Sequence, residues 1–207
     1  MHSLNFQKAG AAIEEADKAL LMVHGRGGSA EDILRLASHL HTEDYALLAP
    51  QATNRTWYPF SFMATPEQNE PWLTSALDIL AELVEQLVET GFKKENIYFL
   101  GFSQGACLTL EYVTRHAARY GGIVAFTGGL IGEEINLHNY SGDFAQTPVF
   151  IGTGNPDAHV PVKRVLDTQD ILKKMNANVM LEIYNNKPHS ISSDEIAQAN
   201  AFVFDAG

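Results

Sequence analysis

The stretch Ile97-Tyr98-Phe99-Leu100-Gly101-Phe102-Ser103-Gln104-Gly105 decides how this chain is read. Its first four residues are a continuous apolar run, as expected of a parallel strand covered on both faces. The Gly-x-Ser-x-Gly pentapeptide from Gly101 to Gly105 follows directly. It stands where a sharp strand–turn–helix would lift Ser103 out of a sheet. A side chain at either glycine would collide with the neighbouring strand or helix in so tight a turn. The helical pattern that follows runs from Gln104 to about Arg119. It points the positive end of its dipole at the place where an oxyanion would form. The pentapeptide alone arises by chance in roughly one sequence of this length in twenty. The flanking strand and helix therefore carry the inference that Ser103 is a nucleophile.

Outward from this centre, short apolar runs alternate with helical patterns along the whole chain. Strands are expected at 19–23, 45–49, 97–100, 123–126, 149–151 and 179–184. Helices are expected after Ser29, from near Pro71 to Gly91, from Gln104, after Pro161, and after the capping box Ser192-x-x-Glu195. The rhythm implies an α/β fold, with a mostly parallel sheet and helices on both faces. Two long connections, 50–70 and 128–147, are expected to be functional loops or to hide short helices.

The 207 residues fit one domain, 1–207. With 14 Lys+Arg against 25 Asp+Glu, the net charge of -11 disfavours nucleic acid and stable attachment to an anionic membrane. Cys107 is the only cysteine, which excludes an internal disulfide and a thiolate-rich metal site. It reads as buried filler in the helix after Ser103. There is no signal-peptide pattern and no apolar run of membrane length, so a cytoplasmic protein is expected.

A serine hydroxyl is a weak nucleophile until a base takes its proton. In this kind of fold the partners follow the serine in the order acid, then histidine. His189 lies just beyond the strand expected at 179–184, at the carboxyl end of the sheet where ligands of open α/β sheets bind. Asp157 lies just beyond the strand at 149–151, aimed by a Gly/Pro turn. His138 has no strand to position it, and His159 adjoins the acid. Asp143 is the weaker rival for the acid. The loop His24-Gly25-Arg26-Gly27-Gly28 follows the first central strand. It can present a backbone N–H to a carbonyl oxygen, so the expected oxyanion donors are the N–H groups of Arg26 and Gln104. His24 is then a bracing residue. The aromatic cluster of the 50–70 loop suggests an apolar pocket wall, with Trp57 and Phe60 as lining.

With HGRGG, the TWY loop, GFSQGA, NPDAHVP and the His189 region in this order, the chain resembles the phospholipase/carboxylesterase family of α/β-hydrolases. That family includes the acyl-protein thioesterases. The resemblance implies a Ser-Asp-His hydrolase of esters or thioesters, with no cofactor or metal, often acting as a homodimer. Carried over by motif, Ser103, Asp157 and His189 match its triad, and Arg26 and Gln104 its oxyanion donors. There are two departures. Arg26 stands where the family commonly reads HGLGD, which points toward compact, moderately apolar small-molecule esters rather than long acyl chains. Lys187-Pro188 precedes His189 where the family usually has a glycine nearby. The expected function is that of a serine carboxylesterase. The alternatives are an acyl-thioesterase or lysophospholipase, and a catalytically silent binding module on the same fold.

Overall fold

A computed structural model describes residues 1–205. Seven strands form one sheet: β1 (Phe6–Gly10), β2 (Lys18–Val23), β3 (Tyr45–Pro50), β4 (Ile97–Phe102), β5 (Gly122–Phe126), β6 (Pro148–Asn155) and β7 (Asn178–Asn185). Their order across the sheet is β1-β3-β2-β4-β5-β6-β7. All neighbours are parallel except β1, which runs antiparallel to β3. The six expected strands are present within a residue or a few at each end. β1 is a seventh, and the apolar pattern did not announce it. Its residues are half-buried or exposed, and its pairing to β3 is made by the main chain from Phe6↔Pro50 to Gly10↔Ala46.

The helices are α1 (Ala30–Leu34), α2 (Pro66–Asn69), α3 (Trp72–Glu89), α4 (Gln104–Arg115), α5 (Val162–Lys174) and α6 (Ser193–Ala199). Two apolar cores lie on opposite faces of the sheet. One gathers Leu80, Leu83, Leu108, Val113, Val165 and Leu172 from α3, α4 and α5 against Leu21, Phe99 and Ile151. The other gathers Ala30, Ile33, Ala199 and Phe204 against Leu20, Leu100 and Phe150. The strand residues of both sets are almost fully buried, which explains why these strands read as unbroken apolar runs. α3 presents Leu73, Ala76, Leu77, Leu80, Leu83, Val84 and Leu87 inward at helical spacing. Removing one such side chain, as in Leu80→Ala, should destabilise the fold by roughly 2–5 kcal/mol.

Two expectations are corrected, and the long connections take one of the two forms expected of them. The helix beginning after Ser29 gives way to a 3-10 segment at Arg35–His39. α4 stops at Arg115 rather than near Arg119. The two long connections contain short helical pieces, at Thr53–Arg55 and α2 in the first and at Leu137–Asn139 in the second. No helix among the described residues is long and apolar enough to cross a membrane.

Candidate active site

The site is assembled where β2, β4, β6 and β7 end. Ser103 lies between β4 and α4 with φ 54 and ψ -117. This is a strained conformation for a residue with a Cβ, costing about 1–3 kcal/mol. The turn is over-determined by its neighbours. The Ser103 amide donates to Phe126 O at 2.9 Å, and the Ser103 carbonyl accepts from Cys107 N at 3.0 Å. The glycine requirement is steric. A Cβ on Gly101 would lie 2.5 Å from Gly105 O, and one on Gly105 would lie 2.1 Å from Val23 O. Strand, turn and helix can approach this closely only without side chains at these two positions.

Ser103, Asp157 and His189 are brought together. His189 Nε2 is 2.7 Å from Ser103 Oγ, and His189 Nδ1 is 2.8 Å from Asp157 Oδ2. The Asp157 side chain is fully buried, whereas that of His189 is 22% exposed. The other carboxylate oxygen, Oδ1, accepts from the amides of His159 (2.8 Å) and Val160 (2.9 Å). Burial acts to raise the Asp157 pKa. The hydrogen bonds from His189 and from the two amides outweigh it and hold the carboxyl below its ordinary value. An ionised Asp157 accepts from His189 Nδ1–H and leaves Nε2 as the acceptor facing Ser103. His159, the nearest rival base, supplies its amide to Asp157, and its ring packs edge-on against His189 at 4.8 Å between centroids. His138 and Asp143 stay outside: His138 lies on an exposed 3-10 turn, and Asp143 accepts from Ala145 N and Asn176 Nδ2.

The His24–Gly28 loop follows β2 and borders the same cleft. The amides of Arg26 and Gln104 have no protein acceptor among the described residues, which leaves both free for a substrate oxygen. His24 is buried, and burial lowers its pKa. Its Nδ1 lies 2.7 Å from Gly25 O, and its Nε2 accepts from Ala52 N at 3.1 Å. This is a neutral imidazole bracing two loops, as expected.

The side chains of Arg26 and Gln104 have a role that motif reading did not reveal. The Arg26 guanidinium donates to the carbonyls of Tyr58 (2.9 Å), Pro59 (3.0 Å) and Phe60 (2.7 Å). The Gln104 amide donates to Tyr58 O (2.9 Å) and accepts from Trp57 N (2.9 Å). Both oxyanion candidates thus fasten the 56–60 loop to the floor of the cleft. Nothing in the sequence pairs either side chain with that loop.

The cleft in front of Ser103 has a volume of about 520 Å³ and is bordered by Arg26, Tyr58, Phe60, Phe62, His159 and His189 among others. Phe60 is 54% exposed and lines it. Trp57 does not. It is fully buried, its Nε1 donates to His24 O at 2.8 Å, and its ring packs on His24. The indole N–H needs an acceptor when buried, and the His24 carbonyl draws it beneath the cleft. Tyr58 and Phe62 take its place in the lining. Burial pushes the Cys107 thiol up to about 12, which keeps it protonated and inert. Among the described residues no cluster of His, Cys, Asp and Glu could hold a metal ion.

The sequence signature of the phospholipase/carboxylesterase family matches residues 8–205. The chain belongs to that family. Its relatives include acyl-protein thioesterase 1 of Saccharomyces cerevisiae, 26% identical over 97% of each chain. A phospholipase/carboxylesterase from Dyadobacter fermentans is 54% identical and superposes with a TM-score of 0.97, covering 98% of this chain and 97% of that one. The Bacillus cereus carboxylesterase, at 19% identity, shares the fold with a TM-score of 0.81 over 99% of this chain and 95% of its own. The α/β-hydrolase fold follows, and with it the assignment of this family member as a hydrolase.

Proposed function

We propose that this family member is a serine carboxylesterase acting on small, moderately apolar esters, with Ser103, His189 and Asp157 as its triad. One observation carries the reading: His189 stands within hydrogen-bond reach of Ser103 Oγ on one side and of a buried Asp157 on the other. In this scheme Ser103 Oγ attacks the ester carbonyl carbon while His189 Nε2 takes its proton. Negative charge builds on the carbonyl oxygen, which the Arg26 and Gln104 N–H groups receive. Losing one such donor typically costs about 3 kcal/mol of transition-state stabilisation. The tetrahedral intermediate collapses as His189 returns the proton to the departing alcohol. Water, activated by the same imidazole, then releases the acid from the acyl-enzyme. Asp157 fixes the tautomer and stabilises the imidazolium.

The size of the cleft, and an Arg26 side chain held across one border, favour compact acyl groups. The names of relatives such as the yeast acyl-protein thioesterase favour a second reading, acyl-thioester hydrolysis. An acyl series from two to sixteen carbons, as matched esters and thioesters, separates the two. A peak at short esters supports the carboxylesterase reading, and a rise toward long thioesters overturns it. Assembly as a homodimer belongs to the same proposal and is checked by light scattering. The catalytic claim rests on Ser103→Ala: ester hydrolysis and labelling by a fluorophosphonate should both be lost. Unchanged hydrolysis in the variant would sink the Ser103 assignment, whereas a wild-type chain that neither hydrolyses esters nor takes the label would favour the silent binding module.

A further inference from the structure

The loop carrying His189 is held by an ion pair closed off from solvent. Lys187 Nζ lies 2.9 Å from Glu195 Oε2, with the two side chains 8% and 0% exposed. Lys187 Nζ also donates to Ser190 O. Glu195 Oε2 in turn accepts from Ser192 N (2.8 Å) and Ser192 Oγ (3.0 Å). These contacts close a ring of residues 187–195 with His189 inside it and the first turn of α6 as its far side.

The ring rests on β6. Gly152 and Gly154 lie two residues apart and so face the same side of the strand. A Cβ on Gly152 would come within 2.6 Å of Glu195 Oε1, and one on Gly154 within 2.7 Å of Lys187 O. The two glycines thus form a bare shelf against which the ring lies flat. The Asn186 amide also donates to Asn155 O at 2.8 Å, at the last residue of β6. Two residues beyond that end stands Asp157. One strand therefore references both halves of the acid–base couple: it leads directly into Asp157 and bears the ring that aims His189.

We infer that the buried Lys187–Glu195 pair, seated on the Gly152/Gly154 shelf, is a positioning device for His189. The inference rests on the triad reading above. A buried pair is weak evidence of a contribution to stability, because desolvation offsets its attraction; geometric specification is the better-attested use. Here the geometry specified is that of a loop whose central residue is only partly buried and makes its two side-chain hydrogen bonds to Ser103 and Asp157. It also gives the unusual Lys187-Pro188 dipeptide a purpose. Lysine reaches under the loop to Glu195, while the Pro188 carbonyl accepts from Ser190 N at 2.8 Å.

The test uses the full chain and ethyl butyrate as probe. Removing one partner would strand a buried charge, so both are neutralised together as Lys187→Met with Glu195→Gln. If the pair aims His189, kcat falls between about tenfold and a hundredfold, the size of loss a misplaced catalytic group produces. KM should stay within about twofold. The low-field proton resonance of His189 Nδ1–H bound to Asp157 should broaden or vanish. Gly154→Ala keeps both charges but pushes on the Lys187 carbonyl, and it should lower kcat in the same manner. If either variant is folded and retains kcat and the resonance, the pair is a structural staple and the inference is overturned. His189→Ala, run in parallel, separates the two readings. An active His189→Ala overturns the triad and the inference together. An inactive one beside fully active pair variants overturns the inference alone.

Discussion

The proposed nucleophile and its proposed base sit barely apart, yet the protein holds them by different means. Ser103 belongs to the centre of the sheet, between strands whose residues are almost fully buried, in a turn that two missing side chains make possible. His189 belongs to the edge, in a loop after the last strand, none of whose residues is fully buried. At the centre, position is a matter of excluded volume. At the edge it depends on a small set of polar contacts: Asp157, the amides behind it, and the ion pair beneath the loop. Packing tolerates little but needs no tuning. Polar contacts are directional, and each can be removed separately.

The largest expected break in this contrast is on the polar side. Asp157→Asn leaves the volume intact but reverses the donor and acceptor preference of His189. It should lower kcat on the order of 10⁴-fold, with only the modest drop in melting temperature that loss of the ionised carboxylate brings. Steady-state kinetics beside a thermal melt checks both halves of that statement. On the steric side, Gly105→Ala should act in the opposite sense. The added Cβ meets the Val23 carbonyl, so stability should fall by at least the roughly 1–3 kcal/mol usual for overpacking, with activity lost in proportion to unfolding. Chemical denaturation measures it. If Gly105→Ala were stable but inactive, the turn would be a catalytic rather than a steric constraint.

A smaller effect sharpens the contrast at the His24–Gly28 loop, which combines both modes. Arg26→Met removes the three carbonyl contacts of the guanidinium but keeps the amide. Because that side chain is largely exposed, the loss in kcat/KM should be on the order of tenfold, about 1.4 kcal/mol. Faster proteolysis between residues 56 and 62 should accompany it. The smallest effect is in acid. Asp157 has a depressed pKa in the folded chain, so its contribution is present above the unfolded value of about 3.9 and is lost as pH falls through the lower folded value. The stability gap between wild type and Asp157→Asn, followed by melting temperature, should therefore narrow below about pH 4. A gap that widens there would contradict the hydrogen-bonding account of the carboxylate.

The sequence made the turn at Ser103 legible because everything it needs lies within nine consecutive residues: an apolar strand, two glycines and a helix start. Asp157 and His189 were legible because each follows a recognisable strand in the order the fold demands. β1 was not legible, since main-chain pairing to β3 leaves no pattern in exposed side chains such as Gln7 and Lys8. Trp57 was misread as cleft lining for a related reason. An aromatic residue outside a regular element can turn either way, and the free carbonyl of His24, far away in sequence, decided its direction. The clamps formed by the Arg26 and Gln104 side chains and the Lys187–Glu195 pair were equally hidden, because each depends on which distant backbone or charge the fold brings near.

What the sequence determined alone is the set of local constraints: where strands must be buried, where the chain must turn without side chains, and which residues stand at the strand ends. These follow from sterics and hydrophobic periodicity, both of which act over a few residues. Tertiary structure alone decided which polar atoms meet. It joined Ser103 to His189 across 86 positions at 2.7 Å, turned Trp57 beneath the cleft, and placed the ion pair under the His189 loop. Hydrogen bonds fall off within a few tenths of an ångström and a few tens of degrees, so their partners are settled only when the whole fold has set its distances.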